Sequence, residues 1–247
     1  MILLLTALAV SSVACGGTGD GDDDDTAGAG GTGGTGGTGA GGMSAGSGGT
    51  GGSAMGMLMY GFDSDEQGWN VQYVSCGKED DGVTEVECIP KTAVKVAWAT
   101  GVGDGDDLGA LKAEVGFTGP RQYAGIGIQL NGENLTDKVL TARVKLESGL
   151  AEDAALATNS VGAKLYLKSG ADYVYAAGAY QTIVSHGSWF TLKFDLSNPS
   201  TWSYVDTSHE TMFDPTTIGE LGIQVDTADS LASTATDAVW LIDNVRW

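Results

Sequence analysis

The stretch KVLTARVKLES, residues 138–148, puts Leu140, Ala142, Val144 and Leu146 on one side of an extended chain, with Thr141, Arg143 and Lys145 on the other. A period of two belongs to a strand with one face in a core and one in water. VGAKLYLK repeats it, with Val161, Ala163, Leu165 and Leu167 set against Lys164, Tyr166 and Lys168. WFTLKFDL does the same with Phe190, Leu192, Phe194 and Leu196. About eleven such runs follow one another through residues 57–247, divided by turn sequences such as KSGAD and LSNPS. The best helical candidate, EDAALAT near Ala155, is too short to be a crossover helix. Strands in series without crossover helices pair antiparallel and bury their apolar faces against a second sheet. The expectation is all-β: a jelly-roll β-sandwich of about eleven antiparallel strands.

Residues 1–56 have no place in that sandwich. MILLLTALAV is shorter than a membrane span and suits the apolar part of a signal peptide, expected over residues 1–14. Ser12, Val13 and Ala14 then lead into Cys15, which resembles a bacterial lipobox, where cleavage exposes a cysteine for acylation. Residues 15–56 are rich in glycine and carry an aspartate run but no aromatic residue, the composition of a disordered tether. The expectation is an exported outer-membrane lipoprotein, on the periplasmic or cell-surface face, whose domain of residues 57–247 is held by a lipid on Cys15. With Cys15 set aside, Cys76 and Cys88 form an even pair in an oxidising compartment, where a disulfide across the polar GKEDDGVTEVE segment persists.

Formal net charge is −20, with no basic stripe to interrupt the acidity. Such a surface repels phosphate backbones, so nucleic acid is excluded as a partner. Enzyme motifs are sparse. His186 sits in a tight SHGSW turn and His209 in a polar loop, and neither belongs to a nucleophile elbow or a zinc-binding pair.

The domain opens with YGFDSDEQGW, carries GSWFTLKFDLSNP and FDPTTIGELGIQVDT late, and closes on VWLIDNVRW. In that order the segments resemble the galactose-binding-like jelly rolls of carbohydrate-binding modules, notably those attached to mannan- and glucan-degrading enzymes. The resemblance implies a polysaccharide partner bound on the concave sheet. It also implies a structural Ca²⁺ held by an acid of the first strand and by the aspartate of the closing motif. The matching positions are Asp63 and Asp243, with Asp65 as a further donor. Asp243 shares its alternation with Val239, Leu241 and Val245, so it is expected to face the core, where a carboxylate needs partners.

Sugar rings stack on flat aromatic side chains while amides and charged groups bond their hydroxyls. RQYAGIGIQL turns Tyr123, Gly125, Gly127 and Gln129 outward, and the glycines offer a floor free of side chains. Tyr166 lies outward between two lysines, and DYVY puts Tyr173 and Tyr175 on one face. Trp202 and Tyr204 sit in the long loop NPSTWSYVDTSHE, each either tucked under it or offered to a ligand. The sequence therefore points to a monomeric, non-catalytic polysaccharide-binding module. A jelly-roll glycanase or polysaccharide lyase, and a structural or adhesive lipoprotein, are the alternatives.

Overall fold

The computed structural model describes residues 57–78, 85–150, 161–227 and 237–247. The expected signal peptide, the Cys15 lipid site, the tether and the EDAALAT segment lie outside these residues. The first strands in chain order are β1 (Leu58–Tyr60), β2 (Asn70–Val74), β3 (Cys76–Lys78), β4 (Glu85–Cys88), β5 (Val94–Thr100), β6 (Gly109–Val115) and β7 (Tyr123–Glu133). They continue as β8 (Val139–Ser148), β9 (Gly162–Ser169), β10 (Val174–Ala177), β11 (Gln181–Thr182) and β12 (Phe190–Asp195). The last are β13 (Tyr204–Val205), β14 (Ile218–Asp226) and β15 (Ala238–Arg246). Among the described residues the helical pieces are two single 3-10 turns, Lys91–Ala93 and Pro199–Thr201.

Two antiparallel sheets make the jelly-roll sandwich that the alternation predicts. One has six strands in the order β12-β8-β15-β6-β5, with β1 beside β15. The other has seven, in the order β13-β10-β9-β14-β7-β2, with β11 beside β9, and β3 and β4 form a separate hairpin. The strands exceed the expected eleven because pieces of two or three residues, such as β11 and β13, are too short to display an alternation.

The core lies between the sheets and is built from the inward set of each strand. Leu140, Ala142, Val144 and Leu146 of β8 meet Ala163, Leu165 and Leu167 of β9 in one buried cluster with Ile126, Leu221, Ile223 and Trp240. Burying a leucine or isoleucine side chain of this kind stabilises the fold by roughly 1.5–3 kcal/mol relative to leaving it in water.

β15 departs from the expected register. Ala238, Trp240, Ile242 and Val245 belong to the core cluster, whereas Leu241 and Asp243 do not. The pairing of β15 with β8 shifts between Asp243 and Arg246, and Asn244 adopts φ 51. That irregularity resets the alternation, so Asp243 and Val245 do not share a face. Asp243 is nevertheless buried, because the loop between β5 and β6 closes over it from outside.

Candidate functional site

The outer face of the seven-stranded sheet is organised in rows that run across the strands. One row joins Tyr175 of β10, Lys168 of β9, Glu220 of β14 and Gln129 of β7. The next joins Tyr166, Gly222 and Gly127, and the third joins Lys164, Gln224, Gly125 and Tyr73 of β2. A fourth, Gly162, Asp226 and Tyr123, ends the face.

Gly125 and Gly222 do not leave an empty floor. A Cβ at Gly125 would overlap the Tyr73 ring, and one at Gly222 would overlap the ring and hydroxyl of Tyr166. Each glycine is the seat on which a tyrosine from the neighbouring strand lies down. Tyr166 is fully buried in this paving, stacked on Tyr175 at 5.5 Å and 14° and met edge-on by Tyr73 at 5.2 Å. Its alternation is outward as expected, but its ring offers no surface to a ligand.

Hydrogen bonds lock the paving in place. The hydroxyls of Tyr73 and Tyr175 both donate to Gln224 Oε1, each at 3.0 Å. The Tyr166 hydroxyl donates to Glu220 Oε1 at 2.9 Å, and Lys168 Nζ stands 2.9 Å from the same oxygen. Gln129 Nε2 donates to Glu220 Oε2 at 2.9 Å. Burial holds the phenols of Tyr73, Tyr166 and Tyr175 above the ordinary tyrosine range, so all three remain neutral donors. Asp226 accepts from the Tyr180 hydroxyl. Burial raises the Asp226 pKa to about 7, although that bond and nearby Lys164 oppose the shift.

Above the paving is an open cleft of about 570 Å³. Its lining includes Tyr73, Tyr123, Lys164, Tyr175, Tyr204 and Gln224, so it touches every strand from β13 to β2. Tyr123 is partly exposed and Tyr204 is 52% exposed. Lysine ammonium groups stand over the other two rings, Lys168 4.6 Å from the Tyr73 centroid and Lys164 5.8 Å from that of Tyr175. The open aromatic surface is therefore at Tyr123 and Tyr204.

Residues 60–244 match the family model described as mannanase, galactose-binding domain-like. The chain belongs to this family. No curated protein matches it. Among solved structures, this galactose-binding domain-like chain is similar to the family 11 carbohydrate-binding module of the cellulosomal cellulase Lic26A-Cel5E of Clostridium thermocellum. There the identity is 13%, with 78% of this chain and 94% of that one covered, at a TM-score of 0.45. It is also similar to TmCBM27, a carbohydrate-binding module described for specific mannan recognition, at 15% identity, 77% and 95% coverage and a TM-score of 0.40. An exo-β-agarase matches at 12% identity and a TM-score of 0.45, with 76% of this chain and 25% of that one covered.

In this galactose-binding domain-like fold the expected ligand residues separate into groups. Tyr123 and Tyr175 line the cleft, and Tyr166 lies beneath it. Tyr173 is 49% exposed in a turn before β10, with φ 52, and its hydroxyl is 3.5 Å from Gln129 Oε1. Tyr173 and Gln129 thus extend the face beyond the cleft rather than lining it. Trp202 is tucked under its loop, edge-on to Phe194 and Phe213, with Nε1 donating to the Asp195 carbonyl at 2.7 Å. Tyr204, the other aromatic of that loop, is offered to the cleft, whereas Tyr73 and Gln224 escaped the sequence reading. Tyr73 follows a register shift in β2, but the outward position of Gln224 in GELGIQVD was there to be read.

The acids expected to hold calcium do not converge. Asp63 and Asp65 are exposed, and Asp65 Oδ1 accepts from the Gln67 amide at 2.9 Å. Asp243 instead accepts from the amides of Asp104 (2.9 Å) and Asn244 (2.7 Å), one on each oxygen. Its pKa is raised to about 6 by burial and by the charges of Asp107 and Asp104. Asp104 is itself paired with Arg143 at 2.6 Å. Among the described residues no group of three or more His, Cys, Asp or Glu side chains could hold a metal ion. Asp63, Asp65 and Asp243 are not part of such a group, and nothing below depends on an ion.

Proposed function

We propose that the cleft on the seven-stranded sheet binds a polysaccharide and performs no chemistry on it. The observation that carries this reading is the combination of Tyr123 and Tyr204 open to solvent with a floor of neutral tyrosine hydroxyls and the Gln224 amide between them. Open rings suit the C–H faces of sugars, and fixed polar groups suit their hydroxyls. Membership of a family described by mannanase domains supports the same ligand class. The acids on this face already have partners: Glu220 with Tyr166 and Lys168, Asp226 with Tyr180, and Asp206 with Ser208 and His209. That arrangement favours binding over the paired-carboxylate chemistry of a glycanase. Affinity electrophoresis of the domain against mannan, xylan, β-glucan and galactan tests the proposal. Retardation by at least one, weakened by joint substitution of Tyr123 and Tyr204, is the expected result, and retardation by none overturns it.

The remaining sequence expectations are part of the same proposal: a monomeric domain, a lipid on Cys15 in the outer membrane, and a disulfide between Cys76 and Cys88. The register of β3 and β4, which sets Cys76 opposite Cys88, supports the disulfide.

A further inference from the structure

The cations of the cleft are not equivalent. Lys168 is spent on buried Glu220, 2.9 Å away, and on the Tyr73 ring. Lys164, from the other end of β9, is half-buried in the cleft wall. It has no ion pair among the described residues. It stands 5.8 Å from the centroid of the Tyr175 ring and feels the charge of Asp226. A desolvated ammonium facing a ligand cleft without a carboxylate in contact gains most from an anionic group brought by the ligand.

We infer that Lys164 recognises an acidic substituent on an otherwise neutral glycan. This inference rests on the polysaccharide reading and narrows its ligand class. A densely charged polyuronate does not fit, because the chain carries a net charge of −20 and the same cleft is lined by Asp206. One carboxylate among several neutral sugars satisfies both facts. The neutral units occupy Tyr123, Tyr204 and the hydroxyl floor, and the carboxylate meets Lys164.

The test compares neutral mannan, β-glucan and galactan with their sparsely C6-oxidised forms, and neutral xylan with glucuronate-branched xylan, by affinity electrophoresis at low salt. For the backbone that the domain binds, the acidic form should bind about tenfold more tightly, as expected for a charge-assisted contact in a partly desolvated site. Lys164→Met should abolish that ratio and Lys164→Arg should retain it, so a general loss of folding is separated from loss of the contact. Equal binding of neutral and acidic forms, or a ratio that survives Lys164→Met, overturns the inference and leaves the polysaccharide reading intact. Absence of retardation by every polymer overturns both.

Discussion

Tyr123 and Tyr166 both lie on the solvent side of their strands, yet only Tyr123 keeps ring surface open. Substitutions should separate the two roles. Tyr123→Ala or Tyr204→Ala should weaken glycan binding several-fold, roughly 0.5–1.5 kcal/mol each beyond lost area, with the melting temperature nearly unchanged. Tyr166→Ala should destabilise the domain by about 3 kcal/mol, as for other large buried aromatics, and affect binding only through the collapse of its neighbours. Calorimetry and affinity electrophoresis on the same variants distinguish the outcomes. Asp226 makes a different prediction. Its folded pKa of about 7 lies above its ordinary value of 3.8, so the native state holds a proton that the unfolded chain releases. Stability should therefore rise as pH falls from about 7 toward 4, and this contribution should be absent and level above 7. After allowance for partial exposure, the change from pH 5.5 to pH 8 should be on the order of 1–2 kcal/mol. Asp226→Asn should flatten the melting-temperature profile over that range, and an unchanged slope would assign the dependence elsewhere.

At the scale of elements, the hairpin of β3 and β4 offers a direct measurement, since its register places the two cysteines opposite one another. Mass spectrometry of the protein taken from its native compartment should find Cys76 and Cys88 joined. Reduction should lower stability by about 3 kcal/mol through freedom returned to the unfolded chain. The long strands could be read from the chain because their apolar residues keep strict time: β8, β9 and β12 bury the residues their alternation nominates. β15 could not, since its inward set is Ala238, Trp240 and Ile242, which leaves Asp243 off the core face, and the irregularity at Asn244 then turns Val245 inward without altering the composition of the strand. The tyrosine paving was half legible. Alternation reveals which rings point outward, but a ring that lies flat over a glycine of the neighbouring strand depends on pairing between strands distant in sequence. Gly222 is the clearest case, because its partner ring comes from Tyr166. Gly222→Ala should thus destabilise the domain although alanine is the smallest possible change, and thermal denaturation checks it.

For the molecule as a whole, the acidic surface and the neutral cleft floor make opposite demands on salt. If stacking dominates, affinity for an uncharged glycan should vary little between low salt and 0.5 M, where the Debye length falls to about 4 Å. The proposed lipid also belongs to this scale: Cys15→Ser should move the protein from the membrane to the soluble or uncleaved fraction, and fatty-acid labelling should mark only the wild type. The course of the cleft has a further consequence. It crosses all six strands from β13 to β2, a path of about 24 Å at the usual spacing between strands, instead of ending in a blind pocket. A trough of that kind grips the middle of a polymer and has no use for its ends. Under the proposed glycan binding and lipid anchor, several copies would sit on one strand like beads on a thread, and a single long glycan would become a cable that gathers neighbouring molecules.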